Sequence, residues 1–535
     1  MENVTVRFEP DGVIVTVPHG STAHSAAIAA GVHLDAPCSG LGRCGRCTVT
    51  VDGEVSPPTA DEIALIDLPD LASGVRLACR ARLLSDATVT ARTRGEMTIA
   101  EEGRVPDLDV ENPANRGIER REGSPYVLGA VVDIGTTTTV AALIDLENGD
   151  ELVRAGALNV QYPWGADVMT RVSMAVREGG DILHRPLVMQ IERMILALLE
   201  VLEAPPEDVR EVAVAGNTAM TNSFLGEDLT PLAAAPYEGA VLEARSVIAT
   251  GLGFTRLSQA TFYVLPGISA FVGADIVAGL LATQPSAETG PVLFMDLGTN
   301  GELVLVTAEE MVAASAAAGP ALEGAGIASG MRAEPGAIER VWLEDGELVI
   351  ATIGGFQPVG LCGSGALDLL AAMLDAGVLD ASGRLRDDVP GTLSSRVVER
   401  GDVRAFVVDA DAGVVLTQKD VRQLQLAKGA VRTAIDLLLS EASVHSGDVR
   451  EVLVAGGFGL HVDGHVLARI GMIPPEWADR LVFVGNTSKE GARAALVSSA
   501  TRRSAEEIAT RVRTLALATH PEFQDRYVAA LDFPA

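Results

Sequence analysis

Lysine is nearly missing from this 535-residue sequence, occurring only at 419, 428 and 489. With 41 basic against 72 acidic residues, the formal net charge is −31. So acidic a surface is repelled by nucleic acid and by anionic membranes, which excludes both as partners. The same scarcity removes the P-loop, because Gly-x4-Gly-Lys-Ser/Thr fits none of the three lysines. No apolar run reaches the ~18 residues needed to span a bilayer, and the Ala-rich stretch Met311–Leu322 is too short. The N-terminus carries Glu2, Arg7 and Glu9 where an export signal would be apolar, so a cytoplasmic address is expected. Apolar residues still reach 48%, enough for large cores in several domains.

Cysteine is also sparse, yet four of the five cluster as Cys38-x5-Cys44-x2-Cys47 and Cys79, with Cys362 far away. The loop Pro37-Cys38-Ser39-Gly40-Leu41-Gly42-Arg43-Cys44-Gly45-Arg46-Cys47 has three glycines that let the backbone curl and bring thiolates together. Four thiolates are the usual ligand set of a 2Fe–2S cluster. A cytoplasmic chain argues against disulfides. Zinc sites favour two short Cys pairs, and only Cys44-x2-Cys47 qualifies. The set therefore reads as an iron–sulfur site, with a spacing that resembles the adrenodoxin-like ferredoxins.

Around it, residues 1–95 read as a β-rich unit. Val4-x-Val6-x-Phe8 and Val13-x-Val15-x-Val17 alternate about the turn Pro10-Asp11-Gly12. Thr22–Gly31 reads as a short helix, Thr48–Val51 as a strand, and Cys79 as lying near the start of a strand running to about Leu84. This layout resembles the β-grasp of 2Fe–2S ferredoxins. Residues 96–125 are polar, contain Pro106 and Pro113, and read as a linker that would let the cluster domain move. From Tyr126, apolar strands alternate with helical segments in an α/β pattern.

Val127–Val132 delivers Asp133-Ile134-Gly135-Thr136-Thr137-Thr138-Thr139, and Val140–Ile144 returns to a turn at Asn148-Gly149. Further on, Val292–Met295 delivers Asp296-Leu297-Gly298-Thr299-Asn300-Gly301-Glu302, followed by the strand Leu303–Val306. Strand, Asp-x-Gly-Thr turn, strand is thus an internal repeat. A carboxylate at a strand end can hold Mg²⁺ through water, while the glycine amides and threonine hydroxyls can bind phosphate. A third strand, Val452–Ala455, ends in Gly456-Gly457, where a flat adenosine could lie on bare backbone. The three elements resemble the phosphate-1, phosphate-2 and adenosine motifs of the acetate and sugar kinase, Hsc70 and actin superfamily. The expected fold is a two-lobed actin-like ATPase, with lobes at 126–288 and 289–535.

Other segments carry two readings. Gly216-Asn217-Thr218 could add phosphate donors or cap a helix. Cys362, before Gly363-Ser364-Gly365, reads as a packed thiol. His461-Val462-Asp463-Gly464-His465 reads as a helix start ahead of a metal pair. Gln161-Tyr162-Pro163-Trp164 is aromatic in a chain with 4% aromatics, and reads as a site border or a packed loop.

The domain combination resembles the reductive activators of corrinoid proteins. Ala215-Gly-Asn-Thr, Cys362-Gly-Ser-Gly, Ala455-Gly-Gly-Phe-Gly and Gly485-Asn-Thr match that family as well. The resemblance implies that Cys38, Cys44, Cys47 and Cys79 ligate a 2Fe–2S cluster. It implies that Asp133, Gly135, Thr136, Asp296, Gly298, Thr299, Gly456 and Gly457 bind Mg-ATP, a set to which Thr137, Gly216, Asn217, Asn300 and Glu302 are added here as neighbours. Hydrolysis is expected to use water held near Asp133, Asp296 or Glu302. One electron would pass from an upstream donor to a Co(II) corrinoid on a corrinoid-binding protein or methyltransferase, giving Co(I). A homodimer is compatible with the sequence. Activators of the 2-hydroxyacyl-CoA dehydratase or benzoyl-CoA reductase type also donate electrons to low-potential metalloenzymes, but need more cysteines in the ATPase than Cys362. A small-metabolite kinase with a redox-sensing domain and a redox-gated binding module are the remaining alternatives.

Overall fold

The computed structural model describes residues 3–9, 12–30, 32, 34, 42, 47–66, 70–71, 73–91, 102–298, 300–388, 392–401, 403–456 and 462–534. They form two compact units. Residues 1–95 group with 160–177, and residues 96–159 group with 178–535.

In the first unit, β1 (Asn3–Glu9), β2 (Val13–Pro18), β3 (Thr48–Asp52), β4 (Val75–Leu77) and β5 (Ala87–Ala91) make one sheet in the order β2-β1-β5-β3-β4. β1 and β5 are parallel and the other pairs antiparallel, which is a β-grasp. Alternation in β1 buries Val4, Val6 and Phe8 together with Ala26 and Ala27 of the helix Ala23–Ala30. Leu77 ends β4, so Cys79 lies in the turn after a three-residue strand and not near the start of a longer one. Glu62 fixes that strand. It sits in a capping box with Thr59, grips Arg76 at 2.9 and 3.0 Å, and accepts the Leu77 amide at 3.1 Å. Burial works against its charge, but Arg76 and the Thr59 and Leu77 amides outweigh it, so its carboxyl is held below the ordinary range.

The second unit repeats one sheet plan. β6 (Leu128–Ile134), β7 (Thr138–Asp145) and β8 (Glu151–Leu158) form an antiparallel meander, and β9 (Val209–Gly216) adds parallel to β6. β10 (Arg245–Ile248) and β11 (Thr261–Val264) complete the order β10-β11-β9-β6-β7-β8. β12 (Val292–Leu297), β13 (Gly301–Val306) and β14 (Met311–Ala316) form the second meander. β15 (Ala337–Glu344), β16 (Glu347–Thr352) and β17 (Gly360–Leu361) build one small sheet, and β18 (Val397–Arg400), β19 (Val403–Asp409) and β20 (Val414–Thr417) another. β21 (Glu451–Ala455) adds parallel to β12; with β22 (Leu481–Gly485) and β23 (Val512–Thr514) the order is β22-β21-β12-β13-β14-β23. This is the duplicated α/β plan of an actin-like ATPase. Each repeat follows from buried apolar runs such as Ala130–Val132 and Leu293–Met295.

The helices Ala274–Thr283 and Thr487–Val497 pack backbone to backbone: a Cβ on Gly491 would lie 1.9 Å from the Ala278 carbonyl oxygen. Residues 102–125 do not behave as a free connector. Arg116 binds Glu211 and the Leu496 carbonyl, each at 2.6 Å, Glu111 N–H donates to the Val497 carbonyl at 2.9 Å, and Arg121 pairs with Asp208. The freedom expected of 96–125 therefore does not extend to 102–125. No helix among the described residues is long and apolar enough to cross a membrane.

Candidate functional site

Cys47 and Cys79 are buried, with their Sγ atoms 3.4 Å apart. A disulfide would need ~2.05 Å, whereas two thiolates on one tetrahedral metal with ~2.3 Å bonds lie ~3.8 Å apart. The separation therefore fits two thiols converging on a common metal. The turn is held by Ala78 N–H to the Cys47 carbonyl at 2.7 Å and His24 N–H to the Ala78 carbonyl at 2.9 Å. Gly42, at φ +71°, makes room for Arg80, whose guanidinium occupies the space a side chain there would take. Cys38 and Cys44 lie outside the described residues.

In the second unit, β6 delivers Asp133 and β12 delivers Asp296, each beside a parallel neighbour, Ala215 and Ala455 respectively. Thr136 Oγ1 accepts from Asn217 Nδ2 at 2.9 Å, while Asn217 Oδ1 caps the helix Thr218–Leu225 through Met220 N–H at 3.0 Å. Asn217 thus serves both readings, cap and turn partner. Gly216 passes so close to β6 that a Cβ would be 2.7 Å from the Ile134 carbonyl oxygen. A Cβ on Gly135 would be 2.7 Å from the Thr138 carbonyl oxygen, which keeps the first turn tight. In the second turn Gly298 N–H donates to the Asn300 carbonyl at 3.0 Å. Gly456 has φ +88°, and a Cβ there would lie 2.7 Å from Asp296 Oδ1, so the adenosine-type turn abuts the second aspartate. Thr299 and Gly457 lie outside the described residues.

The turns face one another. Thr137 of the first donates to Glu323 Oε2 at 3.0 Å, and Glu323 Oε1 would lie 3.4 Å from a Cβ on Gly298 of the second. Asp133 accepts from Ser488 Oγ at 2.7 Å and Asn486 Nδ2 at 2.8 Å. Burial still raises the Asp133 carboxyl above its ordinary value. Asp296 is pushed up to about 7, first by burial and then by the charges of Asp133 and Glu323. Asp275, at the start of the helix Ala274–Thr283, is pushed up to about 8 by burial and by Asp296 and Asp133. Glu302, directly across the ladder from Asp296, is raised well above its ordinary value by burial and by Asp275 and Asp296. The charges of Asp133, Asp275, Asp296 and Glu302 act on one another, and Lys489 is the cation that favours the charged form of Asp133.

Sequence patterns place Asp133, Asp296 and Glu302 here, and the structure brings them together. They missed Asp275, Glu323 and Ser488. Gly485-Asn486-Thr487 stands out in the sequence but carries no role there; in the fold Asn486 holds Asp133.

Three family descriptions match consecutive stretches of this chain. They are a 2Fe-2S iron-sulfur cluster binding domain over 6–84, the RACo middle region over 128–287, and the C-terminal ASKHA domain of RACo over 290–535. The corrinoid activation enzyme RamQ of Eubacterium limosum is 32% identical over 424 residues, covering 77% of this chain and 71% of RamQ. The chain belongs to the RACo family. A Co(II) methylated amine-specific corrinoid protein reductase of Methanosarcina barkeri is 29% identical over 438 residues, or 76% of this chain and 77% of that one. The solved structure of a reductive activator for corrinoid, iron-sulfur protein superposes with a TM-score of 0.69 at 29% identity, covering 99% of this chain and 98% of that one.

In this RACo-family chain the remaining motifs have structural places. Cys362 is buried against Met331 and Ala337 at the start of the helix Gly363–Asp375, and burial raises its thiol pKa. Asp463 caps the helix Gly464–Arg469 through His465 N–H at 2.8 Å, and His465 pairs with Asp479 at 3.1 Å; His461 lies outside the described residues. Gln161–Trp164 belongs to the first unit, where Asp167 caps the following helix and buried Arg171 donates to the Gly165 carbonyl at 2.8 Å.

Proposed function

We propose that this chain reductively activates a corrinoid protein in an ATP-dependent reaction, passing one electron from an upstream donor to Co(II) of the partner's corrinoid to give Co(I). The observation that carries this reading is the pairing, in one chain, of converging Cys47 and Cys79 thiols with a cleft of facing aspartate turns. A bound 2Fe–2S cluster would supply one-electron transfer, and its ligands would be Cys38, Cys44, Cys47 and Cys79. Asp133, Asp275 and Asp296 would hold Mg²⁺ with its waters. Amides of the Gly135 and Gly298 turns, with the Thr136 and Thr137 hydroxyls, would bind phosphate. Asn300 belongs to the second turn and Gly456 backs the adenosine. Glu302, buried behind Asp296, orients a water, because phosphoryl transfer needs positioning and charge neutralisation more than covalent chemistry.

ATP is useful because the electron transfer is uphill. Each ~59 mV costs a one-electron couple a factor of ten, so a gap of ~250 mV leaves on the order of one reduced partner in ten thousand. Moving a population from 1:99 to 99:1 requires about 5.5 kcal/mol, which a nucleotide-driven rearrangement can provide. The shared-cluster alternative is disfavoured by Cys362, the single thiol among the described residues of the ATPase unit, which is 3% exposed. In the test, Asp133→Ala should keep the visible spectrum of the cluster and lose ATP-dependent corrinoid reduction. Unchanged turnover would overturn the assignment.

A further inference from the structure

Glu102–Arg104 are the first described residues after the 92–101 stretch that joins the chain to the last strand of the cluster unit. They run antiparallel to the end of β22. Arg104 N–H donates to the Val484 carbonyl at 2.7 Å and Asn486 N–H to the Glu102 carbonyl at 2.8 Å, about a Gly103–Gly485 pair. Neither glycine can carry a side chain. A Cβ on Gly103 would lie 2.3 Å from the Asn486 carbonyl oxygen, and one on Gly485 would lie 2.3 Å from that of Glu102.

On its other side, the Gly485–Asn486 dipeptide holds both halves of the nucleotide cleft. Asn486 Nδ2 donates to Asp133 Oδ2 at 2.8 Å. The Gly485 carbonyl accepts from Gly456 N–H at 3.1 Å, and Gly456 is the residue pressed against Asp296. A charged chain runs alongside. Glu102 pairs with Arg154, Arg154 with Glu151 at 2.7 Å, Glu151 with Lys489, and Lys489 with Glu490 at 2.8 Å. Lys489, one of three lysines in the chain, is 1% exposed, and Glu151 and Glu490 are its ion-pair partners. Capping the helix Thr487–Val497 requires only Asn486 Oδ1, which accepts Lys489 N–H at 2.9 Å. It does not require a third chain segment laid over Asn486.

We propose that Gly103 and Asn486 are positioning residues: the Glu102–Arg104 strap seats Asn486, and through it Asp133, so that nucleotide occupancy and the seating of the strap are coupled. This inference rests on the ATP-dependent reading above. Coupling is reciprocal, so nucleotide at Asp133 must stabilise the strap by as much as the strap favours nucleotide. The coupling therefore extends to Glu102–Arg104, the strap itself.

Hydrogen exchange on the full chain, with and without Mg²⁺ and a non-hydrolysable ATP analogue, tests it. Amides of 133–139 and 296–301 should slow on addition, and those of Arg104 and Asn486 should slow with them by about tenfold. Protection of both turns with no change at Arg104 and Asn486 overturns the strap and leaves the ATP reading standing. Protection nowhere overturns both. In a second arm, Gly103→Ala should weaken binding of Mg²⁺ with the non-hydrolysable analogue by about tenfold, and the analogue should no longer slow exchange at Asn486. A wild-type affinity for the analogue in that variant contradicts the proposal. Since the exchange arm uses the unaltered chain, misfolding of Gly103→Ala leaves the proposal exposed to that arm.

Discussion

The turns after β6 and β12 share a strand order, a sequence pattern and a position in their sheets, yet their aspartates are held differently. Asp133 receives two side-chain hydrogen bonds from the start of the helix Thr487–Val497, whereas among the described residues no side-chain donor is seen on Asp296. Asp296 instead has Glu302 across the ladder and the bare backbone of Gly456 beside it. The duplicated element has one member held by two side-chain donors and one with none among the described residues. On the proposed function, the first aspartate would be a fixed reference and the second would respond to an incoming cation.

The comparison predicts equal effects on turnover and opposite effects on stability. Asp133→Ala and Asp296→Ala should each lower ATP turnover by about 10²–10³-fold, read in a phosphate-release assay, as removal of a preorganised charge-stabilising group does elsewhere. In nucleotide-free protein Asp133→Ala should destabilise by about 1–3 kcal/mol, because Asn486 and Ser488 lose their acceptor. Asp296→Asn should raise Tm, because it removes a buried like charge. A loss of Tm in both variants would erase the distinction.

The distinction also has a pH signature. Asp275 and Asp296 titrate near 3.8 when unfolded and are pushed up to about 8 and about 7 when folded. Between those values the folded chain holds more protons than the unfolded one, so its stability declines as pH rises through that window. Nucleotide-free Tm should fall between about pH 6 and about pH 8, and less steeply in Asp296→Asn. A flat profile would show that the carboxylates are compensated after all. The smallest effect concerns the bond joining the turns: Thr137→Val should cost about 0.5–1.5 kcal/mol in thermal denaturation, the net worth of one hydrogen bond.

What could be read in the sequence was local. Period-two alternation marked β1 and β2, and an apolar run ending in Asp-x-Gly-Thr marked β6 and β12, because a strand and its turn are encoded by adjacent residues. The cysteine spacing pointed to an iron–sulfur domain for the same reason, and a 2Fe-2S cluster binding domain matches residues 6–84. Asp275, Glu323 and Ser488 carried no such signal, since each reaches the cleft from a separate element and only the fold brings them to Asp133 and Asp296. The linker reading of 96–125 failed to anticipate Arg116 and Gly103. A polar, proline-containing stretch looks alike whether it is solvated or laid along a neighbouring strand; the difference lies in distant partners such as Glu211 and Gly485.

The central proposal is that the nucleotide cleft gates delivery of the electron. The direct measurement is the absorbance of a candidate corrinoid protein mixed with the reduced chain, followed with and without Mg-ATP. Conversion of Co(II) to Co(I) should occur only when Mg-ATP is present, and not at all with Asp133→Ala whose cluster spectrum is intact. Reduction at the same rate without ATP would contradict it.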